Sequence, residues 1–278
     1  MKNEGAGTRF AELLGRGGDD FDLDRAALLI AEEQYPTLDV ESYVSQLDRF
    51  AADARARLGT ERRAAVRVLK LRDYVFTELG FHGNAEEYFD VRNSFLNDVI
   101  DRRTGIPITL SVVFMEVARR LDLELFGVGM PGHFIVKWRD GERDILLDPF
   151  NAGRELTIDD CREVVAGMYR GTLAFQPSFL GAVTKREILA RMLRNLKGIY
   201  AGAADHRRVL GIIERALLIG PFEPAEIRDR GLARMGLGEY SRALVDLEDY
   251  LRRAPWAADK AAIRERISDL RERLAQLN

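Results

Sequence analysis

His133 and Asp148 are the residues whose types and spacing could do chemistry. They lie 15 positions apart, His133 in Gly132-His133-Phe134 and Asp148 in Leu147-Asp148-Pro149. If these segments are neighbouring antiparallel strands, the two side chains can stand side by side on one face. A carboxylate bonded to one imidazole nitrogen orients the ring and stabilises its cation, the arrangement used in acyl transfer. Such a dyad needs a nucleophile. The N-terminus of a helix is a suitable place for one, because the helix dipole lowers a thiol pKa there.

The elements that must position the pair can be read from periodicity. Residues 10–79 are helical throughout. A run through Ala26, Leu28, Leu29 and Ile30 ends near Tyr35-Pro36, where proline stops it. Asp39 is placed to cap the next helix, with Val40, Tyr43, Val44, Leu47 and Phe50 at spacings of three and four. A third helix carries Val66, Leu69, Leu71, Tyr74 and Val75 and breaks at Gly80. Beyond it, Tyr88 to Leu96 reads as a loop running into a short helix. Pro107 then opens a helix, where its missing N–H costs nothing, and Leu110, Val113, Phe114 and Val117 continue it.

Alternation follows. Residues 123–129, 134–138 and 144–147 read as three strands, and Arg139-Asp140-Gly141-Glu142 supplies the hairpin between the last two. A helix followed by an antiparallel meander predicts an α+β domain. The last third returns to helices. Pro221 and Pro255 stand 34 residues apart, the tetratricopeptide period. Gly231, Ala243, Leu247, Tyr250 and Pro255 fit that pattern in one copy. Leu196, Tyr200, Ala216 and Pro221 fit it in a degenerate earlier copy, where Val209 and Lys197 depart from it. A polar-faced helix from about Asp259 to Leu274 reads as a cap. Two repeats are fewer than a free-standing solenoid needs. The expected division is an N-terminal helical segment at 1–80, a core at 81–185, and tetratricopeptide-like helices with a cap at 186–278.

Composition narrows the function classes. The chain has 278 residues with 42 Lys+Arg against 45 Asp+Glu, a formal net charge of −3. That balance argues against a nucleic-acid binder held by phosphate contacts, so a DNA-linked regulator is a weak reading. Arg62-Arg63 and Arg252-Arg253 sit among acids and read as solvated helix faces. A single cysteine, Cys161, excludes an intramolecular disulfide, and three scattered histidines offer no zinc-ligand spacing. The opening residues Met1 to Gly5 begin no apolar signal segment, and no stretch of about 18 apolar residues occurs, so a cytoplasmic chain with no membrane partner is expected. No cofactor is implied: Gly15-Arg16-Gly17-Gly18 and Gly127-Val128-Gly129 lack the strand-loop-helix context of a nucleotide site.

Several segments together resemble a known family. Tyr88-Phe89-Asp90, Asn93-Ser94, the run Arg103 to Leu110, Pro131-Gly132-His133-Phe134 and Asp148-Pro149-Phe150 are similar to the transglutaminase-like SirB-type proteins. These also carry C-terminal tetratricopeptide repeats. The resemblance covers most of the chain, from about Leu23 to Pro255. It implies a papain-like, transglutaminase-type core with a small antiparallel sheet, preceded by a helical bundle and followed by an all-α repeat unit. Active transglutaminases place a catalytic cysteine at the start of the helix that precedes the His and Asp strands. Counting back from Leu121-Asp122-Leu123, similar to that helix's end, puts the slot near Pro107, and residues 105–111 contain no cysteine. Cys161 follows both dyad residues and reads as a small hydrophobe on a later helix. Thr109 and Ser111 are weak hydroxyl candidates: a hydroxyl needs strong base assistance, and Ser111 sits a full turn inside the helix.

Two functions are therefore expected. The favoured one is a non-catalytic interaction module that binds a protein or peptide partner through a core without its nucleophile and through the repeat helices. The other is a hydrolase or acyltransferase on peptide or amide bonds that uses His133 and Asp148 with a hydroxyl or an activated water. The favoured reading of the pair itself is structural, pinning two strands without turnover. His82 is expected in a loop or cap and His206 in a turn between repeat helices. Asn93 either caps a helix or lines the cleft. Asp90 and Arg92 are expected to pair near the cleft, and Trp138 and Trp256 to fill a core or a domain interface. Oligomeric state is not legible.

Overall fold

Apolar residues at three- and four-residue spacing build the first helices of the computed structural model, which describes residues 4–15, 18–141, 143–220 and 223–276. Two units divide the chain, Met1–Met192 and Leu193–Asn278. The first opens with α1 (Glu4–Leu14), α2 (Leu23–Ala31), α3 (Val40–Leu58) and α4 (Ala64–Asp73), the last prolonged by a wide turn over Tyr74–Glu78. The Asp39 carboxylate caps α3 by accepting from the Ser42 N–H at 3.2 Å, as its position in the sequence predicts. Nearly every residue of α2 is buried, because α1, α3, α5 (Leu96–Arg102) and α6 (Pro107–Arg119) surround it.

The unit is organised around α6. Pro107 occupies its first turn; Leu110, Val113, Phe114 and Val117 are buried on one face, and Ile108 and Val112 on the opposite one. A helix apolar all round has to be a core helix. It packs on an antiparallel sheet of β3 (Leu125–Val128), β4 (Ile135–Asp140), β5 (Arg143–Asp148) and β6 (Arg154–Leu156), in that spatial order. The predicted three-strand meander is therefore present. Its fourth strand gives no sequence signal, since Leu156 is its one apolar residue and pairs with Leu146. A parallel pair of β1 (His82–Gly83) and β2 (Thr104–Gly105) is likewise too short to be read from a pattern. Glu142, in the predicted hairpin, lies outside the described residues. After the sheet come α7 (Ile158–Met168) and α8 (Lys185–Gly202), within which the division between the units falls.

The second unit continues with α9 (His206–Ile219), α10 (Pro224–Gly236), α11 (Tyr240–Arg253) and α12 (Lys260–Gln276). The α10 and α11 backbones approach at Gly231, where an added Cβ would sit 2.8 Å from a Leu247 methyl carbon. Ile227, Ala243, Leu247 and Tyr250 form a core closed by Ile263, Ile267 and Leu270 of α12. Buried charge is paired: the Asp246 carboxylate accepts from Arg230 at 2.7 Å and from Arg234 at 2.8 Å. Lys197, the departure in the degenerate copy, bonds to Glu226 and Asp229 at 2.8 and 2.9 Å. Pro221 lies outside the described residues. One expectation is corrected: Trp138 is buried, but Trp256 is 82% exposed, because in the turn after α11 it is Ala254 and Ala257 that face the core. No helix among the described residues is long and apolar enough to cross a membrane.

Candidate functional site

His133 is delivered by the turn between β3 and β4. Gly132 takes a left-handed φ of 76°, which glycine adopts freely. The turn is fixed from outside by Arg191, whose guanidinium donates to the Met130 carbonyl at 3.0 Å and to the His133 carbonyl at 2.8 Å. No pattern in the sequence links Arg191 to His133, 58 residues earlier.

Asp148 ends β5 and caps the short turn Pro149–Asn151. One carboxylate oxygen accepts from the Phe150 and Asn151 N–H groups at 3.1 and 3.4 Å. The other accepts from the Asn151 amide at 2.7 Å and from His133 Nε2 at 2.9 Å. The residues meet diagonally rather than side by side: Val136 pairs with Leu147, which leaves His133 just before β4, out of register with Asp148. Burial pushes the Asp148 carboxyl upward. The bonds from His133 and Asn151 outweigh it and hold the group below the ordinary carboxylate range. With a carboxylate on Nε2, that nitrogen carries the proton, and Nδ1 has no hydrogen-bond partner among the described residues.

The ring is 12% exposed and stands among aromatic groups. Phe150 meets it edge-on at 6.3 Å, Tyr88 meets Phe150 at 5.9 Å, and Tyr88 meets Phe89 at 5.4 Å. Phe89 is 77% exposed, and the exposed Met168 packs over Gly132. Phe150 also seals the floor: a Cβ on Gly83 would lie 2.5 Å from its carbonyl oxygen. Both α6 and β1 pack on this turn, which Asp148 caps.

At the start of α6 a second cluster forms around Asn93, which is fully buried. Its amide donates to the Glu87 carbonyl at 2.8 Å, and its side-chain oxygen accepts from Asn84 at 3.2 Å. Its own carbonyl accepts from the Thr109 hydroxyl at 2.8 Å. Thr109 in turn accepts from the Ile106 N–H at 3.2 Å, and the Ser111 hydroxyl donates to the Pro107 carbonyl at 2.7 Å. Both hydroxyls are buried and neither is bonded to His133. Cys161 lies in a separate apolar cluster with Val128, Met130, Ile135 and Leu146, where burial, with Asp160 and Asp148 adding, pushes its thiol up to about 11. It is an inert core thiol.

The remaining polar residues are also placed. Asp90 and Arg92 pair at 2.7 Å, with Arg102 joining at 3.4 Å. His82 lies in β1 with Nδ1 2.9 Å from the Gly80 carbonyl oxygen, and His206 opens α9 with its ring against Gly236. No group of His, Cys, Asp and Glu among the described residues is arranged to hold a metal ion.

A model of the transglutaminase-like superfamily matches residues 41–194, and a tetratricopeptide repeat model matches residues 196–268. The chain is 37% identical to a UPF0162 protein of Xylella fastidiosa over 88% of each chain. It is 30% identical to a UPF0162 protein of Vibrio cholerae, over 85% of this chain and 89% of that one. A shorter stretch, 46% of this chain and 21% of the relative, is 32% identical to the human F-box only protein 21. No solved structure matches the chain.

Proposed function

From a chain that belongs to the UPF0162 family, with a transglutaminase-like domain followed by tetratricopeptide repeats, we propose a non-catalytic protein-interaction module. In it the transglutaminase-like core has no nucleophile and the repeat helices form a partner-binding surface. The carrying observation is the state of the groups at the start of α6. Thr109 and Ser111 are both held by backbone carbonyls, and the one thiol of the chain is buried elsewhere with its pKa raised. Residues 81–185 then present the dyad and its aromatic rim, residues 186–278 the repeat surface, and residues 1–80 the supporting helices. A cavity of about 390 Å³ bordered by Lys197, His206, Val209 and Leu232 supports a binding role for the repeat unit.

The test is a substrate screen with amide, ester and amine-transfer donors, run on wild type and His133→Ala side by side. Equal background rates are expected. A turnover present in wild type and lost in His133→Ala overturns the proposal.

A second reading rests on the dyad itself. His133 Nε2 is bonded to a buried carboxylate at 2.9 Å while Nδ1 stays open beside an accessible rim. That arrangement suits a general base acting on water or on a bound hydroxyl, as a hydrolase or acyltransferase requires. The ring nitrogen chemical shifts by NMR, in wild type and in Asp148→Asn, test it. A proton held on Nε2 in wild type and redistributed in the variant supports a carboxylate-oriented base, and nitrogen shifts that ignore the substitution remove this reading.

A further inference from the structure

The sheet of the first unit has an open edge. In the order β3-β4-β5-β6, β3 has a partner strand on one side only among the described residues. On its outer side the chain begins a pairing and then abandons it. Val128 bridges Ala182, and the Gly127 carbonyl accepts from the Val183 N–H at 2.9 Å, after which α8 starts at Lys185. Backbone groups of an antiparallel strand alternate between its two neighbours. Leu125, two residues before Gly127, therefore turns its N–H and C=O to the same outer side, where no described segment pairs with it.

A cavity of about 540 Å³ lies along this edge. Met115 of α6 and Ile188 of α8 give it apolar walls, and four carboxylates line it against two cations. Both cations are engaged: Arg119 pairs with Glu116 at 2.8 Å, and the Lys185 ammonium bonds to the Phe21 carbonyl at 2.6 Å. Asp122 and Glu124, exposed beside the unpaired stretch, have no basic partner among the described residues. Unpaired main-chain groups ask for a strand, apolar walls for apolar side chains on one of its faces, and free carboxylates for cations on the other.

We propose that the outer edge of β3 receives, by strand addition, an extended segment of a protein partner in which apolar and basic residues alternate. The proposal deepens the interaction reading by naming a second surface, in the transglutaminase-like unit, and the class of sequence that it takes.

The probe is the amidated peptide Val-Lys-Val-Lys-Val-Lys carrying fluorescein on its N-terminus, into which the full chain is titrated by fluorescence anisotropy, with amide hydrogen exchange of the chain read residue by residue. Saturable binding is expected, with the Leu125 amide newly protected. N-methylation of the peptide amides in one register should weaken binding more than tenfold, and methylation in the other register should leave it unchanged. Asp122→Asn with Glu124→Gln, both at exposed positions, should weaken binding about threefold to tenfold at low salt, and less as salt is raised. No binding, or indifference to both methylation registers, overturns the proposal. Protection confined to the repeat helices also overturns it while leaving the interaction reading intact, and the His133→Ala substrate screen judges that reading separately.

Discussion

Two polar clusters flank Phe150 and the start of α6, and they differ in what they leave unused. Around Asn93 the side-chain amide, its carbonyl partners and the Thr109 hydroxyl all bond to one another or to the backbone, with Asn93 fully buried. Around His133 the Asp148 carboxylate is fully engaged, but one ring nitrogen is not, and the ring reaches solvent beside exposed Phe89 and Met168. A closed network rigidifies, since breaking it orphans buried groups. An open one can still meet a ligand. The first cluster ties the loop over residues 84–93 to the start of α6, and the second leaves a ring nitrogen beside an exposed aromatic rim.

The comparison breaks most visibly at Asn93. Asn93→Ala strands the Glu87 carbonyl, the Asn84 amide and the Arg102 end of the network, and a loss of about 3 kcal/mol in urea unfolding is expected. His133→Ala should cost about 1 kcal/mol or less, because Asp148 keeps three bonds from Phe150 and Asn151. Equal losses at the two positions would erase the distinction.

Gly83→Ala comes next. Its new Cβ would meet the Phe150 carbonyl oxygen and ring at 2.5 Å, and a backbone atom yields only by moving the turn. About 2 kcal/mol of destabilisation is expected. The His133 imidazole resonances should shift as Phe150 moves, and an unshifted spectrum would show that Phe150 does not position the ring.

The acid limb sharpens the comparison. Asp148 titrates below its unfolded value, so the unfolded state binds more protons at low pH. Its stabilisation is complete above the unfolded carboxylate pKa of about 3.9 and is lost as pH falls through the lower native value. Asp148→Asn should therefore lose about 1–2 kcal/mol at pH 7 and approach wild type as the solution is acidified through this range. A gap that does not narrow in acid would exclude a charged Asp148 as its source. Phe89→Ala is the smallest effect. The side chain is 77% exposed, so stability should change by less than about 0.5 kcal/mol, measured by thermal melting. A larger loss would place Phe89 in the structural network rather than on an accessible rim.

Much of the fold was legible because its elements are long and periodic. The Asp39 cap, the helix opened by Pro107, the meander and the repeat residues Gly231, Ala243 and Leu247 all follow from local chemistry. Short elements were not legible: β1, β2 and β6 have two or three residues each, below any period. Trp256 misled because a large apolar residue after a helix is expected to find cover, and sequence does not say where the core ends. At the site, His133 and Asp148 could be paired from motif order. Arg191 and Asn151, which clamp the turn and the carboxylate, and the closed network at Asn93 could not.

By itself the sequence determined the helical and strand segments, the absence of a cysteine near Pro107, and the presence of a histidine and an aspartate able to meet across a hairpin. These depend on residue type and near-neighbour spacing, which the chain carries along its length. Only the tertiary structure decided that the pair meets diagonally, that Nδ1 has no partner among the described residues, that Thr109 and Ser111 are held by carbonyls, and that no described segment pairs with β3 at Leu125, beside a cavity. Each of these depends on which distant groups burial brings within hydrogen-bonding distance. Packing of the whole unit sets that, and no window of sequence contains it.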